Sequence, residues 1–243
     1  LIDAEKLENK ISELLDNFYA RRMEKINGLK LKNTLKRKNP YLYRAIGTQK
    51  ASEIVEGLLS AYMSSSDEGI FGDSFFEPLA KFASGGIVSP SEGVDVAIES
   101  DKVYTAIAVK SGTNVFNAQS KRRQITEFKS LENRLRKLHK QFDPLVGYCY
   151  GRKRVKKRTV KEFRELAGQA FWEEITGDSD FYLKIIRLMK NKPQEHAAEY
   201  KKAWDAAINR FTGEFIAEFC FSDGNIDWEK LTKFNSSTQT KNN

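Results

Sequence analysis

The sequence predicts an α/β fold, with a central mixed β-sheet flanked by helices and helical regions at both ends of the chain. Three observations carry that expectation. The stretch from Gly93 to Gly112, GVDVAIESDKVYTAIAVKSG, reads as two strands in succession, 94–99 and 103–109, joined by a polar turn at Ser100, Asp101 and Lys102. The second strand is apolar almost throughout, as a strand covered on both faces is. Apolar residues at helical spacing, with charged residues between them, fill much of the flanking sequence. A chain of 243 residues can bury one α/β core with a helical periphery. The expected regions are 1–70, helical; 71–165, the sheet-bearing core; 166–234, helical; and 235–243, a polar tail without fixed structure.

Taken in order, residues 3–26 form a long helix, because Leu7, Ile11, Leu14, Leu15 and Phe18 recur along one face. From Leu29 to Lys38 the chain turns basic, and Asn39-Pro40 is expected to stop that helical stretch. A second amphipathic helix covers 51–63 and is expected to end in a polar loop at Ser64–Gly69. Gly72-Asp73-Ser74 then opens a third helix over 75–83, with Pro78 in its first turn. After the strand pair, the polar stretch from Thr113 leads into a helix that reaches about residue 140. Pro144 interrupts the chain, and Leu145–Tyr150 reads as a further short strand. The remainder is helical: one helix closed by Gly177, another over 181–188 and a long one over 193–219.

Charge and rare residues narrow the function. Lys and Arg number 41 against 33 Asp and Glu, a net charge of +8 that favours a polyanionic partner. Cys149 and Cys220 lie far apart in apolar segments, which points to reduced, buried thiols and against a zinc site. With only His139 and His196, histidine-dependent nucleases and Ser/His or Cys/His hydrolases are disfavoured. No stretch approaches a membrane span, so the expected location is the cytoplasm.

Two ionisable residues sit in the strand pair where a purely structural sheet would avoid them. Asp95 stands near the start of the first strand and Lys110 at the end of the second, and burying either charge alone is costly. Each therefore needs a partner, a metal or a cleft. An Asp followed about a dozen residues later by acid-x-Lys at a strand end is the pattern of the PD-(D/E)xK nucleases, which this segment resembles. In place of the second acid stands Ala108. The resemblance extends through Asn39-Pro40-Tyr41-Leu42, Phe71-Gly72-Asp73, Phe76-Glu77-Pro78-Leu79-Ala80, Val109-Lys110-Ser111-Gly112 and Gln169-Ala170-Phe171-Trp172-Glu173 to the prokaryotic type II restriction endonucleases. It implies a restriction-endonuclease-like core, Mg2+ (or Mn2+) as cofactor, double-stranded DNA as substrate and a homodimer matched to a two-fold site.

On that reading Asp95 is a metal ligand, Lys110 polarises water or holds a phosphate oxygen, and Glu77 is a further metal or supporting acid. Ala108 impairs or disables cutting, either as a replacement that leaves DNA bound but uncut or as a natural loss covered by Glu77 or Glu99. Candidate DNA contacts are Ser111, Asn114, Asn117, Gln119, Lys121, Arg122 and Arg123 after the second strand. A second group is the basic run Arg152, Lys153, Arg154, Lys156, Lys157 and Arg158. Solvated charge explains either segment equally simply. The alternatives to a restriction enzyme are a non-cleaving DNA-binding protein with a vestigial nuclease core and a DNA repair nuclease.

Overall fold

The structure, a computed structural model, describes residues 2–88, 91–136, 139–153 and 162–238. It divides into two units that interleave along the chain: residues 1–18 with 68–193, and residues 19–67 with 194–243. The boundaries fall inside helices, so neither unit is one continuous stretch of sequence as the expected regions were.

The first unit carries the sheet. Among the described residues it has five strands in the order β1 (Ile87–Val88), β2 (Val96–Glu99), β3 (Val103–Lys110), β4 (Gln141–Tyr148) and β5 (Arg164–Ala167). The first three pair antiparallel and the last three parallel, which makes the mixed sheet that the sequence predicts. β3 is central and buried along most of its length. On one face Ala97, Tyr104, Ala106, Ala108, Val146 and Tyr148 cluster with Phe128 and Leu131 of α6 (Ala118–Leu135). On the other, Gly147 leaves room for the ring of Phe171 from α7 (Gln169–Thr176).

Pro144 lies within β4, opposite Ala106, where the sequence reading placed a break. β5 pairs with β4 from Leu145 onward, so among the described residues Pro144 stands where one side of β4 has no neighbour. An absent N–H is tolerated at such an edge. β5 itself, Arg-Glu-Leu-Ala, went unread because its polar residues hide the strand pattern.

The helix preceding the sheet also differs from expectation. α4 (Ala51–Phe71) runs through the polar stretch expected to be a loop, continues through a π-helical turn at Gly72–Phe76, and passes into α5 (Glu77–Ser84). Aromatic packing explains the continuity: Phe71 stacks on Phe75 at 4.5 Å and meets Phe18 of α1 (Ala4–Asn27) edge-on at 5.0 Å. Tertiary contacts of this kind override a weak local propensity. Gly85, in the left-handed region at φ 63°, ends α5. α8 (Phe181–Met189) completes the unit's helices after α7.

The second unit is helical. α2 (Leu31–Leu35), α4, α9 (Lys192–Phe219) and α10 (Trp228–Ser236) contribute Leu31, Leu35, Ile54, Leu58, Phe211 and Phe215 to its core. Asn39-Pro40, expected as a helix stop, instead starts α3 (Pro40–Ala45), with the Asn39 side chain accepting from Leu42 N at 3.2 Å. Asn235 is ordered as well: its amide donates to Leu35 O and Lys38 O at 2.8 and 2.7 Å, so helix covers the first residues of the expected tail. Arg22 binds Asp67 through two nitrogens and lies 3.5 Å from the centre of the Tyr200 ring.

Candidate active site

The C-terminal end of β3 assembles charges from three elements. Alternation along β3 puts Ala106, Ala108 and Lys110 on one face. The β2–β3 register sets Val96 opposite Ile107 and so brings Asp95, just before β2, alongside Ala108 and Val109. Two hydrogen bonds bracket Ala108 and hold Asp95 there: Asp95 N donates to Ile107 O at 2.9 Å, and Val109 N donates to Asp95 Oδ2 at 2.7 Å. Lys110 Nζ lies 3.7 Å from the same Asp95 Oδ2. Both side chains stay in reach of solvent, 29% and 21% exposed, so the pair can exchange its partner for a ligand.

Glu77, in the first turn of α5, joins this pair. Burial pushes its carboxyl above the usual range, and the negative charges of Asp95 and Asp73 push it further, with Lys110 pulling the other way. Asp73 belongs to the π-helical turn, four residues before Glu77. Its spacing from Glu77, one helical turn, is the sequence signal that places the two acids together. The turn approaches the end of β3 closely: a Cβ on Gly72 would lie 2.5 Å from Ser111 Oγ. The atom it would meet is a rotatable side-chain hydroxyl, and π-helical turns occur often at functional sites.

Ala108 is fully buried among Ala106, Val146 and Tyr148. A carboxylate attached there would have to leave that apolar cluster toward Asp95 and Lys110. Glu99 is no substitute. It pairs opposite Tyr104 at the far end of β3 and binds Lys140 Nζ at 2.6 Å. Behind the site, buried Cys149 donates its backbone N–H to Lys110 O at 2.8 Å. Burial first, and Asp95 second, raises its thiol well above the ordinary range.

The candidate DNA contacts fall into distinct situations. Asn114, Gln119, Arg122 and Arg152 are exposed. Asn117 caps α6 by a reciprocal pair of bonds with Ser120, which commits its side-chain oxygen to structure. Ser111 is half-buried against Gly72. Lys121 sits 5.7 Å from the Phe163 ring, and Arg123 bridges Glu92 and Glu127. Lys153 binds both Glu165 and the Tyr148 hydroxyl. Arg154, Lys156, Lys157 and Arg158 lie outside the described residues.

Among the described residues no three His, Cys, Asp or Glu side chains are grouped closely enough to hold a metal by themselves. The oxygen donors of Asp95 and Glu77, with Asp73 near, fit a hard cation bound by one or two carboxylates and completed by water. The like charges of Asp95 and Asp73 on Glu77 favour such a cation electrostatically. No helix among the described residues is long and apolar enough to cross a membrane.

A model of the family described as type II restriction endonuclease EcoO109I matches residues 5–197. No curated protein matches the chain.

Proposed function

Because the chain belongs to the family of the type II restriction endonuclease EcoO109I, we propose that it is a magnesium-dependent, sequence-specific endonuclease of double-stranded DNA with a PD-(D/E)xK-type site impaired by Ala108. The observation that carries this reading is the Asp95–Lys110 pair at the end of β3 with the crowded Glu77 carboxyl beside it. Magnesium, when bound, neutralises charge developing on phosphoryl oxygens and lowers the pKa of an attacking water. Asp95 and Glu77 are the residues that hold it. Asp95 keeps one oxygen on Val109 N–H, and Lys110 orients the water or a phosphate oxygen once it leaves Asp95. The protein acts as a homodimer in the cytoplasm, matching a two-fold DNA site.

A second reading, a non-cleaving DNA binder, draws support from the burial of Ala108 in an apolar cluster. One experiment separates them. Mixed plasmid and phage DNA is incubated with Mg2+ and either the unmodified chain or its Ala108→Glu variant, and binding is followed in parallel by gel shift. Discrete fragments from either protein support the endonuclease. Binding without product from both makes the chain a binder, and nicks confined to unusual DNA structures indicate a repair nuclease.

A further inference from the structure

A cleft of about 1050 Å3 is lined by residues of the turn before α5, the chain after β4, α7 and α8. Cys149 lines it, the same residue whose backbone is bonded to Lys110. Tyr150 N donates to Ser111 O at 3.0 Å, so the next wall residue hangs from the strand end that carries the candidate catalytic lysine. Phe71, Phe76, Tyr150, Trp172 and Tyr182 contribute aromatic rings to the walls. Phe76 ends the π-helical turn and lies 6.3 Å from Tyr150 and 6.5 Å from Trp172, ring centre to ring centre. Trp172 is locked by its indole N–H, which donates to Cys149 O at 2.9 Å. Tyr182 is half-buried on the α8 side, where Ile186 is 68% exposed. Arg152 is exposed at the rim.

We propose that this cleft receives one unstacked nucleotide of the bound DNA, its base held against Tyr182 and Tyr150 and its phosphate by Arg152. The inference rests on the endonuclease reading above. The cleft is large enough, since pockets of about 300–1,000 Å3 enclose ligands of this size. Its chemistry matches: aromatic faces stack bases without regard to sequence, and an exposed guanidinium supplies the charge that a phosphate needs. Its walls are tied to the site through the backbone, since Cys149 and Tyr150 hang from Lys110 and Ser111. A wall so apolar next to a site for a polyanion is otherwise unexplained.

The test uses the full chain with random-sequence duplexes carrying 5-iododeoxyuridine, in Ca2+ to hold DNA uncut. Irradiation is followed by peptide mapping, and affinity is measured for the natural protein and for Tyr182→Ala and Arg152→Ala. The expected result is crosslinking at Tyr182 or Tyr150, and roughly tenfold weaker binding by Tyr182→Ala at an unchanged thermal midpoint. DNA binding that Tyr182→Ala leaves intact, with crosslinks only elsewhere, overturns the pocket. A chain that binds no DNA at all overturns the endonuclease reading itself.

Discussion

Asp95 holds Val109 N–H with one carboxylate oxygen and faces Lys110 with the same atom, so its position depends on backbone that no substitution at 110 alters. Glu77 is held differently, by burial against like charges. Its raised pKa means that the folded chain binds a proton more readily than the unfolded chain between the usual value near 4.5 and the higher folded value. Its contribution to stability therefore falls as pH rises through that window. Glu77→Gln is expected to flatten this dependence above the usual carboxylate value, measured by thermal melts, and to raise the neutral-pH midpoint. Mg2+ should stabilise the natural protein more than the variant, because the cation relieves the same crowding. An unchanged pH profile in Glu77→Gln would count against the crowded carboxyl. Cys149 provides a separate check of burial. Its thiol is expected to resist a disulfide reagent at pH 8 in the native state and to react fully in guanidinium, as read by peptide mass spectrometry.

At the scale of elements, two glycines decide how closely helices approach β-strands. Gly147 in β4 lies directly under the Phe171 ring, and a Cβ there would fall inside the ring's van der Waals envelope. Gly147→Ala is expected to destabilise the chain by about 1–3 kcal/mol, the range for overpacking a filled core. Urea unfolding checks it, and a variant as stable as the natural chain would mean that α7 moves freely on the sheet. Gly72 acts on the site rather than the core: the atom its side chain would meet is the rotatable Ser111 hydroxyl. β5 gains its hold from charge, with Arg164 on Asp143 at 2.8 and 2.6 Å and on Glu174 at 2.8 Å. Such a strand depends on partners distant in sequence, which explains both its polar composition and its absence from the sequence reading.

For the whole molecule, the net charge of +8 says that DNA affinity is salt-dependent but not which cations carry it. Pairing sorts them. Arg123 is matched by Glu92 and Glu127, and Lys153 by Glu165, whereas Arg122 is exposed on α6. Arg122→Ala is therefore expected to reduce the slope of log affinity against log salt by about one, and Arg123→Ala by less. Filter binding across a salt series measures both, and equal slopes for the two variants would reject this sorting.

The sequence by itself determined the strand pair, the Asp95 and Lys110 positions at its ends, the run of helices and the family resemblance. The strands, helices and charged positions follow from alternation, helical spacing and residue types within about twenty neighbours, and the resemblance rests on motifs spread from Asn39 to Glu173. Only the tertiary structure decided that Asp73 joins Glu77 beside Asp95, that Ala108 is sealed in an apolar cluster, that Glu99 belongs to Lys140, and that Lys153 is matched by Glu165. Each of those facts depends on which distant residue meets which, and burial and charge pairing are set by that meeting rather than by local pattern.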